Sequence, residues 1–455
     1  KNLGETLVNA IEVSPHDQAT VYIATTKYKF NDHTPALYKS TDYGATWSNI
    51  SSGIPNGAFT RVVREDPVRK NLLYAGTEKG LYLSWNGGKT WKPFQLNLPK
   101  TPITDIKIHQ GDLIVATSGR AFWILDDLTM LSQFEMGKTT NSHDGRNYQM
   151  KLYQPKDAMN GSWYSPMNGK IDNFDGTNTL AGVNPANGMV LYYELPKLND
   201  STVVSMQILD ASGKVVRSFS SEKDKNFKPH NGGGPRPAPT LSKKEGLNRF
   251  VWDMKTPILP GIYGAYIESR FSGHVVPPGA YTIEIKADGK TITTKGNIVA
   301  MPTYGTTTKQ YSEYHAFMSD MEERVTQMHD QVNALYKVQQ QVKSVLKDVT
   351  DESLIAEGKK LLKDLDAWDK DMIQRKSKAY DDVENFPNKF TAEYLFLIDA
   401  TNSTIPRVNQ PSKDRKTELD AQWETFKSKA EVLMNTDVPN FNKKLWDAGV
   451  GAIRM

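Results

Sequence analysis

Two neighbouring carboxylates and three arginines are the residues in the first third of the chain that could do chemistry. Hydrolysis of a glycosidic bond needs two carboxylates that converge on one bond, and Asp126-Asp127 is the best adjacent acidic pair. Neighbouring side chains on a β-strand point to opposite faces, which disfavours joint action by this pair. Its structural alternative is a turn in which the carboxylates accept hydrogen bonds from backbone N–H groups. We therefore identify no catalytic residue.

The arginines suggest ligand binding. Arg61 and Arg64 lie where the first strand of a sheet is expected, from which they could reach a central face, and Arg120 follows a later strand. A guanidinium group recognises carboxylates through two parallel hydrogen bonds. We predict these three residues as ligand contacts.

The sequence contains no motif typical of a metal or cofactor site. The eight histidines are scattered without the spacing of metal ligands. The chain has no cysteine, which excludes disulfides, thiol catalysis and zinc–thiolate sites. No nucleophile elbow, phosphate loop or dinucleotide fingerprint occurs. We predict no metal and no cofactor.

A segment that occurs twice indicates the elements that hold these residues. Both copies follow the frame Ser-x-[Asp/Asn]-x-Gly-x-Thr-Trp and start at positions 40 and 84, a separation typical of propeller blades. The copies are Ser40, Asp42, Gly44, Thr46 and Trp47, then Ser84, Asn86, Gly88, Thr90 and Trp91. The Asp or Asn side chain can bond nearby backbone N–H groups, and glycine accepts a positive φ. The predicted role is structural, a hairpin lock with tryptophan filling space between sheets.

Strands around the two copies extend the repeat. Similar apolar strands occupy 21–26, 73–77 and 113–118, and each is followed by a second strand at 36–39, 80–83 and 121–125. The third copy has Asp126-Asp127 in place of the frame and lacks Thr-Trp. We predict three blades of a partial β-propeller over residues 1–135, the last one degenerate.

The repeated frame resembles the Asp-box of bacterial neuraminidase repeats, found in sialidases, other glycosidases and sortilin-type propellers. The resemblance implies a β-propeller with the box on the outer hairpin of each blade, away from the ligand face. A sialidase also needs an arginine triad, a Tyr–Glu nucleophile and an acidic Asp, and the blades show no such set.

Three blades cannot close a ring, because four to eight are usual and open sheets expose apolar strands. The chain starts at Lys1 with no charged n-region or apolar h-region. We expect it to be the C-terminal part of a longer polypeptide. Its own N-terminal propeller portion or another envelope protein is the expected partner.

Residues 136–302 predict an immunoglobulin-like β-sandwich. Short alternating strands are separated by turns at 210–214 and 288–290, with Trp252 and Tyr281 as core anchors. This part resembles flagellar hook-capping proteins and the sorting domains of type IX secretion, in fold only, since more than 150 residues follow. Gly/Pro-rich loops at 223–246 and 256–273 are either recognition loops or tolerated insertions.

Residues 303–455 change to a helical period. Apolar residues every three or four positions predict a long first helix, and Asp351 is placed to cap a second. The stripe of the first helix is Phe317, Met321, Val325, Met328, Val332, Leu335, Val338, Val342 and Leu346. Two further helices, around 390–398 and 419–433, complete a predicted antiparallel bundle.

Taken along the whole chain, the order of elements resembles the exported sortilin-type or glycosyl-hydrolase-like neuraminidase-repeat proteins, many of them from Bacteroidota. The blade end from Gly119 to Asp127 belongs to this pattern, with Ala121 where a more flexible residue is expected. The resemblance implies an extracytoplasmic location in a Gram-negative bacterium, in the periplasm, at the outer-membrane surface or secreted.

Two functions remain open. A net charge of +4 without a basic block gives no reason to expect nucleic acid, and no apolar run is long enough to span a membrane. The first hypothesis is a non-catalytic binding or assembly protein of the cell envelope with a protein, peptide or glycan ligand. The alternative is a glycoside hydrolase of the neuraminidase-repeat type whose catalytic residues lie mostly outside this chain.

Overall fold

A computed structural model describes residues 3–134, 148–163, 184–225, 227, 233–402, 405–451 and 453–454. The predicted boundary at 135–136 lies outside them, as do residues 226 and 228–232 of the first Gly/Pro-rich loop.

Three antiparallel sheets follow one another along the first part of the chain. Sheet 1 contains β1 (Leu7–Val13), β2 (Val21–Lys27), β3 (Asp32–Ser40) and β4 (Ser48–Asn49), in that order. Sheet 2 contains β5 (Thr60–Glu65), β6 (Leu73–Thr77), β7 (Gly80–Ser84) and β8 (Lys92–Pro93). Sheet 3 contains β9 (Ile103–His109), β10 (Asp112–Thr117) and β11 (Phe122–Leu125), and a short helix, α1 (Thr129–Gln133), follows. Consecutive antiparallel meanders of this kind are the building units of β-propellers.

The first strand of each sheet has a β-bulge at the same place. Asn9 in β1, Arg61 in β5 and Thr104 in β9 are the extra residues at which the pairing register shifts. A bulge bends its strand and increases the local twist. This shared irregularity aligns the three sheets residue by residue, so that Ile11, Val63 and Ile106 are equivalent positions.

Equivalent positions differ sharply in exposure. Val63 and Ile106 are buried, at 0% and 1% exposure, whereas Ile11 is 64% exposed. At the other end of the row of three sheets, Phe122 of β11 is 76% exposed. Its equivalent in sheet 2, Leu81, is buried at 4% exposure. Sheet 1 and sheet 3 therefore each expose an apolar face. The equivalent faces between sheets 1 and 2 and between sheets 2 and 3 are buried by sheet packing.

The middle part forms two sheets around one hydrophobic core. The smaller sheet has the order β12 (Lys151–Leu152), β14 (Met189–Leu195), β17 (Gly246–Trp252). The larger has the order β13 (Ala158–Asn160), β19 (Lys290–Ala300), β18 (Gly279–Ala287), β15 (Ser205–Leu209), β16 (Val215–Ser220). Trp252 and Tyr281 are both buried in the shared core, with ring centroids 5.5 Å apart. The immunoglobulin-like assignment of this two-sheet unit stays a prediction.

The helical part begins with α2 (Thr308–Val345), capped by reciprocal hydrogen bonds between Thr307 and Gln310. It continues with α3 (Glu352–Met372), α4 (Phe390–Thr401), α5 (Gln410–Val432) and α6 (Val438–Asp447), the last two joined by one π turn. Asp351 caps α3 as predicted, its carboxylate accepting the Leu354 N–H at 2.9 Å. Most of the predicted apolar stripe of α2 is buried, with Phe317 partly so. None of the helices in the described ranges is long and apolar enough to cross a membrane.

The loop 256–273, which we call the strap, belongs to the helical core. Leu259, Ile262, Ile267 and Phe271 are buried among the apolar side chains of α2 and its neighbours. This packing corrects the interpretation of the loop as a tolerated insertion. Burial of four large apolar side chains explains why the segment has a defined position without regular secondary structure.

Candidate functional site

The two repeated hairpins are closed by their own side chains. The Ser40 hydroxyl accepts the Gly44 N–H at 2.8 Å, and the Asp42 carboxylate accepts the N–H of Thr46 at 2.8 Å and its hydroxyl at 2.6 Å. These bonds hold the pKa of Asp42 down at about 2. The side chains of Ser40, Asp42 and Thr46 are thus bonded within their own hairpin, as the structural role of the box predicts.

The second hairpin repeats this geometry. Ser84 accepts the Gly88 N–H at 2.9 Å, and Asn86 accepts the Thr90 N–H at 3.0 Å. Trp91 is buried at 3% exposure in a core that joins sheets 1 and 2, and its indole N–H donates to the Ile50 carbonyl. The equivalent Trp47 is only partly buried. The second tryptophan therefore fills the space between two sheets.

The opposite end of sheets 1 and 2 carries an open cavity of about 550 Å³. Because β3 begins at this cavity and ends at the first box, cavity and boxes lie at opposite ends of the strands. Three connections form the cavity: β2 to β3, β4 to β5 and β6 to β7. Its lining residues are Asn31, Asp32, His33, Thr34, Asn56, Gly57 and Lys79. We call this cavity the groove.

Aromatic rings flank the groove. Tyr28, 40% exposed, stacks on the buried ring of Phe59 with centroids 5.3 Å apart and planes inclined by 14°. The His33 ring packs on Phe59 from another side at 5.6 Å. Tyr28 and Phe30, the latter 61% exposed, belong to one 3₁₀ turn and both line a second cavity of about 240 Å³. The rings form a supported aromatic surface between two recesses.

The groove holds one carboxylate among its lining residues, Asp32. The Thr34 side chain and the Thr34 N–H, the latter at 3.0 Å, bond this carboxylate and hold its pKa below the ordinary value. Asp32 is therefore an ionised hydrogen-bond acceptor at neutral pH. Lys79 and the amides of Asn31 and Asn56 provide donors around it.

Arg61 lies beside the groove. Its guanidinium group is 5.2 Å from the centre of the Phe59 ring and its Nε donates to the Glu78 carboxylate at 2.7 Å. About a third of the Arg61 side chain stays exposed. The predicted ligand role of Arg61 is compatible with this position and stays a prediction.

Arg64 lies farther along β5, between two carboxylates of the neighbouring first strands. Its guanidinium donates to Asp105 at 2.8 Å and lies 3.7 Å from Glu12. A further bond runs from Nε to the Ile106 carbonyl at 2.9 Å. Burial raises the pKa of Glu12, against the opposing effect of Arg64. Arg64 thus links all three sheets, which is sufficient reason for an arginine at this position.

Arg120 is exposed in the turn between β10 and β11, at the same strand end as the β6–β7 turn. The next residue, Ala121, has φ = 57°, in the left-handed region that favours glycine. This conformation is the physical reason for expecting a more flexible residue there. The structure does not bring Arg120 to the groove lining.

The acidic pair follows β11 instead of lying on the strand, which corrects the expectation of opposite strand faces. Asp127 has φ = 64° and accepts the Thr129 N–H at 3.0 Å, so that it caps the turn into α1. Burial raises the pKa of Asp126, and the nearby Asp112 adds to the effect. Asp127 thus has the structural role given above as the alternative to catalysis, a turn in which a carboxylate accepts a backbone N–H.

Residues 28–34, 56–59 and 79 were not identified from the sequence. Tyr28 and Phe30 look like ordinary strand-end aromatics, and Asn31, Asn56 and Gly57 look like turn residues. The available signal was the insertion of a 3₁₀ turn between β2 and β3, where sheets 2 and 3 have tight turns. Across the described ranges, no group of three or more His, Asp or Glu side chains is placed to hold a metal ion.

Comparison with known proteins gives weak similarities. No family model matches the chain. A xyloglucanase from Hypocrea jecorina (strain QM6a) is 29% identical over 94 residues, which cover 18% of this chain and 11% of that enzyme. The chain thus spans about a tenth of the length of the curated relative it matches.

Solved structures with some likeness include β-propeller proteins. "YCF48 bound to D1 peptide" is 14% identical with a TM-score of 0.22, covering 28% of this chain and 37% of that one. A GH74 enzyme of Niastella koreensis is 15% identical with a TM-score of 0.22, covering 64% and 38%. An ancestral GH74 enzyme is 14% identical with a TM-score of 0.21, covering 64% and 46%. At such scores no function is transferred to this chain.

Proposed function

We propose that this chain is an exported, non-catalytic binding and assembly protein of the cell envelope, and that the groove binds a glycan chain. The observation that carries the proposal is the aromatic surface of Tyr28 on Phe59 beside a cavity lined by amides, hydroxyls and one ionised carboxylate. The aromatic surface can stack on the apolar face of a sugar ring, and the polar lining of the groove can bond the hydroxyl groups of the sugar.

The chemistry of the lining favours a glycan over a charged ligand. A sugar ring has an apolar C–H face, which an exposed aromatic ring can cover, and hydroxyl groups that need donors and acceptors at its rim. Asn31, Asn56 and Thr34 provide neutral polar groups, while Asp32 and Lys79 oppose each other in charge. Arg61 is already paired with Glu78. A peptide is the second ligand class that these groups could accommodate.

The same lining is unsuited to glycoside hydrolysis. A glycosidase needs one carboxylic acid with a raised pKa to protonate the leaving oxygen and a second carboxylate as base or nucleophile. Asp32 has a lowered pKa and is the single carboxylate in the lining. We infer that the groove binds without cleaving.

A glycoside hydrolase is the second candidate, because of the short xyloglucanase similarity. Glu12, in β1 of sheet 1, has the raised pKa that an acid would need. Asp105 lies in β9 of sheet 3, with β5 of sheet 2 between the two strands. However, the Arg64 guanidinium stands between these carboxylates. If the chain releases reducing sugar and a Glu12→Gln variant does not, the second candidate replaces the first.

Replacing Tyr28 by alanine is expected to weaken glycan binding about tenfold or more. Loss of a ring that covers a sugar face removes about 1.5–3 kcal/mol of apolar burial, and the ring is already fixed by Phe59. Isothermal titration calorimetry with xyloglucan oligosaccharides and with cellohexaose measures this change.

Tyr380→Ala is the matched control, because Tyr380 is an exposed tyrosine in the helical part, far from the groove in sequence and fold. Its affinity should equal that of the unaltered chain. Equal affinities for all three proteins would exclude the aromatic surface of Tyr28 and Phe59 as part of the binding site. If the chain binds an unstructured Gly/Ser-rich peptide more tightly than both glycans, the ligand of the groove is a peptide and not a glycan.

The exposed faces of sheets 1 and 3 support the assembly part of the proposal. Ile11, Phe122 and Ile124 occupy positions whose equivalents in the neighbouring sheets are buried by sheet-on-sheet packing. We propose that further β-sheets of the same repeat cover them, from the N-terminal propeller portion of the same protein. Contiguous exposed apolar faces of this kind commonly mark interaction sites.

The chain on its own is expected to self-associate through these faces. Ile11→Asp together with Phe122→Asp should shift its sedimentation at micromolar concentration toward the monomer, because a charge opposes burial of an apolar face. Val68→Asp is the control, since Val68 is 76% exposed in a turn of sheet 2. A monomeric unaltered chain at all concentrations would contradict this part of the account.

A further inference from the structure

The strap is fixed to α2 by histidines as well as by apolar packing. Asn333 of α2 exchanges hydrogen bonds with the strap backbone, donating to the Gly261 carbonyl at 3.0 Å and accepting the Tyr263 N–H at 3.1 Å. Asp399 of α4 accepts the Ser269 hydroxyl at 2.9 Å. Three of the eight histidines also lie at or beside this contact, and they have different surroundings.

His329 of α2 is completely buried beneath the strap. Its Nδ1 donates to the Pro260 carbonyl at 2.6 Å, which fixes the tautomer, and its Nε2 has no partner among the described residues. The ring of Phe271 lies beside it, with ring centroids 6.2 Å apart. Among the described residues, no carboxylate bonds the ring or forms an ion pair with it that could balance a charge. Burial therefore lowers the pKa of His329 to about 4.

His274, which directly follows the strap, forms a hydrogen-bonded chain with Glu322 and His315 of α2. Its N–H and Nδ1 both bond Glu322 Oε1, at 2.8 and 2.9 Å, while Nε2 lies 2.7 Å from Nδ1 of His315. Thr256 donates its hydroxyl to the other carboxylate oxygen at 2.9 Å. Tyr314 packs against the His274 ring. Glu322 thus accepts three bonds, one from Thr256 at the start of the strap and two from His274 just after its end.

His315 is the outer member of this chain and is partly buried. Burial, and next the proximity of His274, lower its pKa, with Glu322 acting in the opposite direction. Lys214 and Asp210 of the β15–β16 turn face it as well and have opposing effects. His315 therefore also resists an added proton.

We propose that the strap is an acid-sensitive latch, which holds the two-sheet unit against α2 while His329 is neutral and is released when this histidine gains a proton. A protonated His329 would place a charge without a counter-ion in an apolar core, and release of the strap lets water reach it. The proposal is independent of ligand binding at the groove.

The direction of the pH effect follows from proton binding. The released state binds a proton at the ordinary pKa near 6.5, and the docked state binds it only near 4. Between these values the released state carries more protons, so docking weakens as the pH falls. For His329 alone, the ratio of docked to released strap should fall about fiftyfold between pH 7 and pH 4.5.

Hydrogen exchange of the full chain tests the latch. Strap amides such as those of Leu259 and Tyr263, which are bonded in the docked state, should lose protection about fiftyfold at pH 4.5 relative to pH 7, after correction for intrinsic exchange. Amides of β6 and α3 provide the internal reference for global opening. Equal loss in the strap and in these references would overturn the proposal.

A non-titrating variant separates the latch from general acid sensitivity. His329→Asn keeps a side-chain N–H for the Pro260 carbonyl but cannot become charged, so the loss should shrink to less than tenfold, with His315 contributing the remainder. His109→Asn, a change at an exposed strand position, should retain the full response. If His329→Asn is well folded at pH 7 and responds to acid like the unaltered chain, the latch does not depend on His329.

Discussion

Replacing Trp91 by alanine is expected to lower the free energy of unfolding of sheets 1 and 2 by about 3–5 kcal/mol, the usual cost of removing a buried Trp. Trp91 is buried in the core shared by these sheets, and its indole N–H bonds the Ile50 carbonyl across the sheet contact. Removing it leaves a cavity and an unpaired carbonyl. Urea titration followed by hydrogen exchange of β2 and β6 amides measures the loss.

Trp47→Ala is the matched comparison because it changes the same position of the same repeat. Trp47 is only partly buried, so its removal should cost about 1–2 kcal/mol. A large difference between the variants shows that the tryptophan of each box supports the contact with the preceding sheet. Equal costs would contradict the repeat alignment on which the exposed faces of sheets 1 and 3 are identified.

Replacing Glu322 by alanine is expected to destabilise the helical part by about 3 kcal/mol or more, because each buried donor left without an acceptor costs about 1–3 kcal/mol. Glu322 is 8% exposed and accepts bonds from the His274 N–H, the His274 ring and the Thr256 hydroxyl. The alanine variant leaves all three donors without this acceptor in a buried site. Thermal unfolding followed by circular dichroism at 222 nm, with urea titration for the free energy, provides the measurement.

Glu323→Ala is the control on the same helix. Glu323 is exposed and accepts a hydrogen bond from the Gln327 side chain at 3.4 Å. Its removal should change stability by less than about 0.5 kcal/mol. Glu322→Gln, which keeps acceptor oxygen but no charge, should fall between the two. Similar stability of the Glu322→Ala and Glu323→Ala variants would show that the buried hydrogen bonds contribute little.

Local chemistry explains what could be predicted from the sequence. The Asp-box frame specifies a hairpin because its Ser, Asp or Asn, Gly and Thr all act within eight residues. The long helix was predictable because one period extends through the buried stripe from Met321 to Val342. Asp351 was recognisable as a cap because a cap bonds a backbone group three residues away.

Non-local contacts explain what was missed. The groove is assembled from three connections separated by up to 48 positions, from Asn31 to Lys79, and none of its residues is unusual for a turn. His274 meets Glu322 and His315 only because the strap folds back on α2. The strap itself has the Gly and Pro content of an open loop, and its buried residues follow no period. Such features depend on how elements pack, which single-sequence patterns do not specify.

The central claim is that the groove binds a glycan without cleaving it, and calorimetric titration of the full chain with xyloglucan oligosaccharides, followed by mass analysis of the recovered sugar, tests it most directly. The account predicts saturable binding with a dissociation constant of about 1 mM or lower, weakened by Tyr28→Ala, and sugar of unchanged mass. Shortened sugar would show that the chain is a hydrolase. No heat of binding with these oligosaccharides or with cellohexaose would contradict the glycan assignment of the groove.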